Sequence, residues 1–519
     1  MKTTTSKIPK NRTTTRQRQL LLLAAAVSSS CGLAIELLLG SLASYLVGNQ
    51  ALAYGVAVGG FLAAMGIGSY VSKFVAVDPN SSVLQQDLLS AFIKVELAIA
   101  PLTALLPLGL FALFVSNGSI WLGLALATIV LGMLAGLEVP LLTRILELES
   151  DLKDALAGVL ALDYIGALFG SIAFPLLLLP FFGLFPTGFI LGALQATTVF
   201  LLGANFPQLK PWKYIGLGVA ALLIASAPVS IPLSNRLENN LYEAPIIKRI
   251  QTKYQKIVLT RQGRDLRLFL DGDLQLSTLD EYRYHEALVH PAMSASPDPK
   301  RVLLMGAGDG MALREILKWS SVQQITLIEL DPAMVNLART QPQLVRFNQD
   351  ALSNPKVEVV YGDAFAKVAE LESSFDVIIA DFPDPDREIL AKLYSSGFYL
   401  RLLSKLAPDG VMVTQASSPF FAPKVISCIA KTLNYVGLET APYRIHVPSF
   451  GSWGFVLASR NAIATNNFQL PIPTRFLTQA TMANLFDLPK DIQLPKVEIN
   501  SLAHPTIVRY QADSRWLHY

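Results

Sequence analysis

Apolar positions follow two different patterns along the chain. Residues 19–209 form long apolar runs that contain only 4 Lys or Arg and 10 Asp or Glu. About 20 apolar residues in a helix cross the roughly 30 Å of a bilayer's hydrocarbon core, and the runs recur at this length. The pattern predicts seven membrane spans, near residues 20–47, 51–72, 89–115, 119–143, 157–181, 184–203 and 213–233.

Small and acidic residues interrupt the predicted spans. Glycine-rich runs at 55–60 and 66–69 would let neighbouring helices approach closely. Carboxylates inside a span often mark a solute or proton pathway; the alternative is a protonated or paired residue at a helix end. Four carboxylates fall within or at the edges of the spans, at Glu36, Glu96, Glu138 and Asp163.

From about residue 240 the pattern changes to short strands separated by turns. Strands at 254–260 and 266–270, joined by a hairpin, predict a small β-region. Helices near 311–319 and 332–340 then alternate with apolar strands, which indicates a doubly wound, mostly parallel sheet with its ligand at the carboxyl ends of the strands. The predicted strands of this sheet are 302–305, 325–328, 357–361, 377–380 and 411–415.

Composition excludes some classes of protein. The chain has 519 residues, of which 16% are charged, and its net charge of +3 is too small to argue for nucleic-acid binding. Its two cysteines, Cys31 and Cys428, exclude a disulfide-rich secreted scaffold. The first 18 residues contribute six basic side chains and no acid, so the remainder of the chain carries a net charge of −3.

A glycine-rich turn follows the first strand of the predicted sheet. The turn, Gly306 to Gly310, permits close approach of a ligand to the backbone, although a packing loop could have the same composition. Glu329 ends the next strand, 23 residues after Gly306, where an acid commonly accepts both hydroxyls of a ribose. Asp363 follows the third strand, where its carboxylate could hydrogen-bond the edge of an adenine base.

The same turn argues against a phosphate ligand. It lacks the Gly-Lys-Ser/Thr of a phosphate loop, and Asp309 stands where it would repel a phosphate. These features predict a positively charged nucleoside without phosphate, such as an S-adenosyl compound, rather than NAD or ATP.

Two carboxylates three residues apart, Asp381 and Asp384, follow the fourth strand. Such a pair suits a cationic amine, because one acid can hold the amine while the other accepts its proton. The competing interpretation is a simple turn, since Asp-Pro and Pro-Asp also mark loops.

Over residues 254–460 the chain resembles the spermidine synthase (polyamine aminopropyltransferase) family, and as a whole it resembles the bacterial membrane-bound branch. The motifs that carry the resemblance, in chain order, are Tyr254-Gln255, Leu270-Asp271-Gly272 with Gln275, Asp280-Glu281-x-x-Tyr284-His285-Glu286, His290-Pro291, Gly306 to Gly310 with Arg314-Glu315, Glu329-Leu-Asp331, Gly362-Asp363, the pair Asp381 and Asp384, and Gln415.

The resemblance implies aminopropyl transfer from decarboxylated S-adenosylmethionine to a diamine, with putrescine as the expected acceptor. The products would be spermidine and methylthioadenosine, and Asp381 would be the catalytic proton acceptor. Residues implied for binding the donor or methylthioadenosine are Gln255, Glu329, Asp363, Ala364, Gly306 and Gly308. Residues implied for binding the amine are His285, Asp309, Asp384, Tyr284 and Gln415.

The sulfonium donor is itself a good leaving group, so no metal and no further cofactor is expected. The expected partners are the small-molecule substrates and a lipid bilayer, with no nucleic acid, and a homo-oligomer is compatible with the sequence. Two alternatives stay open: an S-adenosylmethionine-dependent methyltransferase, and a polyamine transporter or sensor with a non-catalytic synthase-like domain.

Four departures from the family pattern bear on the acceptor. Ala307 replaces the middle glycine of the turn, and Phe382 with Pro383 replaces the usual small residues between the two acids, where they are expected to fill the pocket. The run at 386–390 replaces the usual Gly-Pro-Gly/Ala-Glu, and Phe450 stands where the family often has Tyr. The catalytic acids remain.

The expected organisation is a polytopic α-helical membrane domain of seven spans followed by an α/β domain. Its parts are a basic tail (1–18), a transmembrane domain (19–235), a small β-region (236–300), a Rossmann-like sheet of the methyltransferase type (301–460), and a cap (461–519) with a helix at 475–488 and no chemistry of its own.

Two arguments from the sequence disagree about the side of the membrane on which the α/β domain lies. The positive-inside rule keeps the basic tail in the cytoplasm, and seven spans then put the α/β domain outside. The donor, however, is made in the cytosol. We expect a multi-pass plasma-membrane protein with its synthase domain on the cytoplasmic face, which a miscounted or re-entrant span within 157–203 would reconcile.

Overall fold

The computed structural model describes residues 14–47, 50–75, 84–148 and 151–513. The chain separates into two compact units, Met1–Glu243 and Ala244–Tyr519. Most of the basic tail lies outside the described residues, and Arg16 and Arg18 fall in the first turn of the first helix.

The first unit is helical in the residues described. Seven of its helical segments are long and apolar enough to cross a membrane, as the sequence pattern predicts. The helices are α1 Thr15–Val47, α2 Gln50–Val71, α3 Leu84–Val115, α4 Ile120–Glu147, α5 Leu152–Ala173, α6 Leu179–Phe182, α7 Leu184–Asn205 and α8 Lys210–Asn239.

The fifth apolar segment, Leu152–Phe182, is one helical segment whose regular α-helical hydrogen bonding is interrupted. A π-helical stretch, Phe174–Leu178, joins α5 to α6. Pro175 lies in this stretch and has no N–H to donate, which favours a local break in the α-helical bonding. Gly183, at φ +76°, separates α6 from α7. Residues 157–203 therefore hold the two predicted apolar segments, which meet at Gly183.

Close packing of helices in this unit depends on small residues, though not all of the predicted ones. A Cβ at Gly68 would lie 2.0 Å from the Met133 carbonyl oxygen, so α2 and α4 can touch only because Gly68 has no side chain. A Cβ at Gly60 would lie 3.2 Å from Cγ2 of Thr128, so Gly60 also faces α4. Gly55, Gly59 and Gly66, by contrast, face open space, where no close approach occurs.

Large apolar side chains on the outer faces of these helices are exposed. Leu62 on α2, Phe181 on α6 and Leu222 on α8 are 56%, 76% and 64% exposed. Helices that keep such side chains outside match a lipid environment better than water.

The second unit contains two sheets. The first has four antiparallel strands in the order β1-β2-β3-β4. The second has seven strands in the order β10-β11-β9-β8-β5-β6-β7, in which β7, β6, β5, β8 and β9 are parallel. The strands are β1 Ile246–Gln251, β2 Lys256–Gln262, β3 Asp265–Leu270, β4 Asp273–Ser277, β5 Arg301–Gly306, β6 Gln324–Glu329, β7 Val357–Tyr361, β8 Phe375–Asp381, β9 Leu406–Gln415, β10 Glu439–Val447 and β11 Gly451–Ser459.

The helices of this unit pack on both faces of the seven-stranded sheet or follow it. They are α9 Glu281–Ala295, α10 Met311–Ile316, α11 Pro332–Thr340, α12 Pro342–Asn348, α13 Ala364–Glu370, α14 Glu388–Ala391, α15 Ser396–Lys405, α16 Pro423–Tyr435, α17 Gln479–Asn484 and α18 Thr506–Ala512.

The sheet is Rossmann-like and mostly parallel, as predicted. The middle one of its five parallel strands, β5, reads Val-Leu-Leu-Met at 302–305, and all four side chains are fully buried, because helices cover both faces of such a strand. The order reverses at β5, with β6 on one side and β8 on the other. A crevice opens at the carboxyl ends of strands where the order reverses, so the loops after β5, β6, β7 and β8 define the candidate site.

The predicted helix at 475–488 is shorter in the structure and covers Gln479–Asn484. The backbone N–H groups of Arg475, Phe476 and Leu477 donate instead to the buried carboxylate of Glu286. These three residues therefore lie outside the helix, since their N–H groups face a side chain on α9.

Candidate active site

The glycine-rich turn after β5 brings two acids close to the backbone. Gly306 has φ +74°, and a Cβ there would lie 2.1 Å from the carbonyl oxygen of Asp381. A Cβ at Gly308 would lie 2.7 Å from Oε2 of Glu329. Ala307, at φ +57°, also takes the left-handed conformation, so the departure from glycine is tolerated at that position.

Glu329 lies at the end of β6 and is only 8% exposed. Its Oε1 accepts a hydrogen bond of 2.9 Å from the N–H of Asp331. Burial raises the pKa of Glu329 to about 7. The carboxyl is thus held beside the turn, where Gly308 leaves space for it.

Gln255 reaches the same region from the loop before β2. Its Nε2 donates to Oδ2 of Asp331 at 3.2 Å, and Thr252 Oγ1 donates to the same oxygen at 2.8 Å. The other Asp331 oxygen caps α11 through the N–H of Ala333. Asp331 therefore joins the loop that carries Gln255 to the β6 end of the crevice.

Asp363 is the N-cap of α13, and both of its carboxylate oxygens have partners. Oδ1 accepts from the N–H of Phe365 at 3.0 Å, and Oδ2 pairs with Nζ of Lys392 at 2.5 Å. Ala364 follows it and is buried. Lys392 was not anticipated from the sequence, because its partner lies 29 residues away and no local pattern connects the two.

Asp381 ends β8 next to the glycine turn. It accepts a hydrogen bond of 2.5 Å from the phenol of Tyr284 on α9. Burial raises the pKa of Asp381 to about 6, while the charge of His285 and the Tyr284 hydrogen bond act in the opposite direction. The carboxyl is therefore ionised at neutral pH and is a stronger base than an exposed aspartate.

His285 is held by a buried ion-pair chain. Its Nδ1 lies 2.8 Å from the carbonyl oxygen of Glu281 and 3.0 Å from Oε2 of the same residue. Arg314 donates to both carboxylate oxygens of Glu281, each at 2.9 Å. Although burial acts to lower it, the pKa of His285 is raised to about 9 by Glu281, with smaller contributions from Asp309 and Asp381.

Asp384 is surrounded by uncharged donors. Oδ2 accepts from Ser417 Oγ at 2.8 Å and from Gln511 Nε2 at 3.0 Å, and Oδ1 accepts from Gln415 Nε2 at 3.3 Å. Burial raises the pKa of Asp384 to about 6. Gln511 belongs to α18, so the C-terminal segment supplies one of the hydrogen bonds that hold Asp384.

Tyr284 connects the two acids. Both Asp381 and Asp384 lie within electrostatic range of its phenol and, with burial, raise its pKa well above the usual value. Gln415 is fixed in turn by a bond of 2.6 Å to the phenol of buried Tyr394. Both acids therefore lie near the Tyr284 phenol, and Gln415 connects Asp384 to Tyr394, a tyrosine that carries no motif in the sequence.

The unusual residues between the acids do not fill this pocket. Phe382 is 8% exposed and packs with Tyr394 and Phe398, at ring-centroid distances of 6.3 and 6.0 Å, in a core cluster beneath the sheet. Pro383 is exposed. Phe450 does lie near the site, with its ring 6.3 Å from that of Tyr284.

Within the described parts of the chain, no group of three or more His, Cys, Asp or Glu side chains could hold a metal ion.

Sheet order and site geometry define a Rossmann-like domain with a cluster of acids at the carboxyl ends of its parallel strands. A sequence model of the family described as "Spermine/spermidine synthase domain" matches residues 281–469. The chain is 40% identical over 495 residues to a polyamine aminopropyltransferase of Leptospira interrogans, covering 94% of this chain and 97% of the relative. It is 41% identical over 500 residues to polyamine aminopropyltransferase 2 of Ralstonia nicotianae, covering 93% and 96%.

Among solved structures, the spermidine synthase from Thermotoga maritima is 28% identical, with a TM-score of 0.44, and the match covers 47% of this chain and 84% of that one. The chain belongs to the polyamine aminopropyltransferase family and is a transferase of polyamine biosynthesis that acts on small molecules. Because the relatives match over nearly the whole chain, the similarity includes the helical unit as well as the catalytic one.

Proposed function

We propose that this enzyme transfers the aminopropyl group of decarboxylated S-adenosylmethionine to putrescine, with Asp381 as the proton acceptor. A primary amine with a pKa of about 10 is protonated at neutral pH and is not nucleophilic, so a base must take its proton as it attacks. The new bond joins the amine nitrogen to the aminopropyl carbon, and the carbon–sulfur bond breaks to release methylthioadenosine. The proposal includes no metal and no further cofactor.

The observation that carries this proposal is the position of Asp381. It lies at the carboxyl end of β8, beside the glycine turn, with a pKa of about 6 and a short hydrogen bond from Tyr284. A base of that pKa is ionised at neutral pH yet is closer in basicity to the amine than an ordinary aspartate, which favours proton transfer. Tyr284 keeps one carboxylate oxygen oriented and leaves the other for the substrate.

Asp384 would bind the distal ammonium group of the diamine. Its three partners, Ser417, Gln415 and Gln511, are uncharged, so they orient the carboxylate without neutralising it. A half-buried carboxylate with only neutral donors attracts a cation, because the surrounding protein screens the charge less than bulk water does. This feature supports a diamine rather than a monoamine as the acceptor.

The donor would lie across the ends of β5, β6 and β7. In this arrangement Glu329 accepts the ribose hydroxyls and Gly308 leaves room for them. Asp309 lies within electrostatic range of Glu329 and of Asp381, so its charge favours a cationic donor over a phosphorylated nucleotide. Gln255 and Asp363 would flank the nucleoside.

Substitution of Asp381 tests the proposed base. In Asp381→Asn, the rate of methylthioadenosine formation should fall by about 10²–10⁴-fold, the usual contribution of a general base, while the Kd of the donor stays within about threefold. Asp376→Asn is the matched control, since Asp376 lies on the same strand and only accepts backbone N–H groups at 2.8 and 3.1 Å. Turnover of Asp381→Asn at the wild-type rate would exclude the proposed role.

The acceptor is tested by comparing kcat/KM for 1,3-diaminopropane, putrescine, cadaverine and spermidine with a saturating donor. We expect the highest value for putrescine. A higher value for any other amine would replace putrescine in the proposal without affecting the role of Asp381.

We further propose that the helical unit is embedded in the plasma membrane and that the catalytic unit faces the cytoplasm, where the donor is made. The seven apolar segments and their exposed side chains support the first part. A reporter fused after Tyr519 tests the second part. Activity of a reporter that works only outside the cytoplasm would contradict it.

A further inference from the structure

Two acids inside the helical unit are buried and incompletely bonded. Glu96 on α3 and Glu138 on α4 are 0% and 5% exposed and lie within electrostatic range of each other. Ser28 on α1 donates to Oε1 of Glu96. Oε2 of Glu96 and Oε1 of Glu138 accept no hydrogen bond from any described residue.

A third unpartnered acceptor, on a different helix, lies at the same level. A Cβ at Gly188 or Gly192 of α7 would contact the carbonyl oxygen of Thr103 or Ala100, respectively, so α3 and α7 pack closely and antiparallel. The next turn of α7 carries Gln195 and therefore meets the turn of α3 that carries Glu96. Gln195 is 1% exposed, and its Oε1 is also without a partner among the described residues.

Cys31 supports the same placement from α1. Its Sγ lies 4.0 Å from the carbonyl oxygen of Leu191, one turn before Gln195. It is also within electrostatic range of Glu96 and Glu138. Residues of α1, α3, α4 and α7 thus converge on one interior point, here called the bundle site: Ser28, Glu96, Glu138 and Gln195.

The chemistry of the bundle site defines what it can bind. Its three unpartnered atoms are all acceptors, so they require a ligand that donates hydrogen bonds, and the two carboxylates favour a cation. Among the described residues, no Lys, Arg or His side chain pairs with Glu96 or Glu138, and no cluster has the arrangement of a metal site. A primary ammonium group offers three N–H donors and a positive charge.

We propose that the bundle site binds the ammonium group of a diamine or polyamine, separately from the catalytic pocket. The bond pattern at the site is complete when one ammonium group donates to Glu96 Oε2, Glu138 Oε1 and Gln195 Oε1. The helical unit is then an amine-binding module of the same chain that makes polyamines. The proposal stands on the helical unit alone and does not depend on the role of Asp381.

Equilibrium dialysis of the full chain in lipid nanodiscs with radiolabelled putrescine tests the number of sites. The wild type should bind two putrescine molecules per chain. Glu96→Gln combined with Glu138→Gln should bind one and keep the wild-type kcat for aminopropyl transfer, which reports that the catalytic unit is folded. Glu36→Gln is the matched control, since Glu36 is a buried acid of α1 outside the bundle site, and it should bind two.

A double variant that binds as many putrescine molecules per chain as the wild type would overturn the proposal. If the double variant does not fold, Gln195→Leu is measured instead, and the affinity of one of the two sites should fall about tenfold. Unchanged affinity at both sites would overturn the proposal equally. Asp384→Asn should weaken only the other site, so failure of the bundle site and failure of the proposed catalytic pocket give different results.

Discussion

The hydrogen bond from Tyr284 lowers the pKa of Asp381, the proposed proton acceptor, against the effect of burial, and Tyr284→Phe removes this bond. The bond stabilises the ionised carboxylate, so its loss raises the pKa of Asp381. A hydrogen bond to a charged group contributes about 2 kcal/mol, and 1.36 kcal/mol corresponds to one pKa unit, so the pKa should rise from about 6 to ~7.5.

The assay is the pH dependence of kcat/KM for putrescine with a saturating donor. With these pKa values, the ionised fraction at pH 6 falls from about one half to ~3%, so the variant should be ~16-fold slower. At pH 7 it should be ~4-fold slower, and by pH 8.5 the two enzymes should nearly converge. Recovery at high pH separates a titration effect from damage to the fold.

Tyr443→Phe is the matched control for this substitution. Tyr443 is fully buried and its phenol also bonds to α9, but the acceptor is the carbonyl oxygen of Ala287 at 2.7 Å, not a carboxylate. Its loss should leave the acidic limb of the profile near pH 6. If the acidic limb of Tyr284→Phe stays there too, or moves to lower pH, the proposed stabilisation of the Asp381 carboxylate is refuted.

Three further substitutions test the remaining parts of the pocket. Asp384→Asn should raise KM for putrescine about 100-fold, since it removes one member of a buried charge pair, and leave KM for the donor unchanged in steady-state kinetics. Gly308→Ala would place a Cβ 2.7 Å from Oε2 of Glu329 and displace that carboxyl. Calorimetry should then show that methylthioadenosine binds at least about tenfold more weakly. Unchanged binding would argue against a ribose site at Glu329. Gln511→Ala loses the 3.0 Å bond to Asp384 and should raise KM for putrescine about tenfold; an effect on Tm alone would reduce Gln511 to a structural role.

Elements with a strong local pattern could be predicted from the sequence. The apolar runs predict the seven long helices, and the apolar strands predict β5 to β9. The helices extend beyond the apolar runs: α3 begins at Leu84 rather than at 89, because polar residues such as Gln85 and Asp87 continue the helix past the apolar stretch. Strands β10 and β11 were not predicted, since their pairing depends on contacts with β9 that no local pattern encodes.

The candidate site shows the same division between local and long-range information. The positions of Asp381, Glu329 and Asp363 at the carboxyl edge of the sheet were predictable, because each ends or closely follows a recognisable strand. Gln511 and Ser417 were not, since they lie 127 and 33 residues from Asp384 and approach it only through the packing of α18 and the loop after β9.

These long-range contacts also change what the departures from the family pattern mean for the acceptor. Phe382 packs in the core, so its ring does not form part of the surface that an amine would touch. Phe450 contacts Tyr284 only through its ring, and the Tyr284 hydroxyl donates its hydrogen bond to Asp381. Under the proposed function, the selectivity for a diamine rests on Asp384 and its neutral donors. One of those donors is Gln511, so the same proposal gives the C-terminal segment a part in selecting the amine, and a comparison of acceptors is most informative when it includes Gln511→Ala.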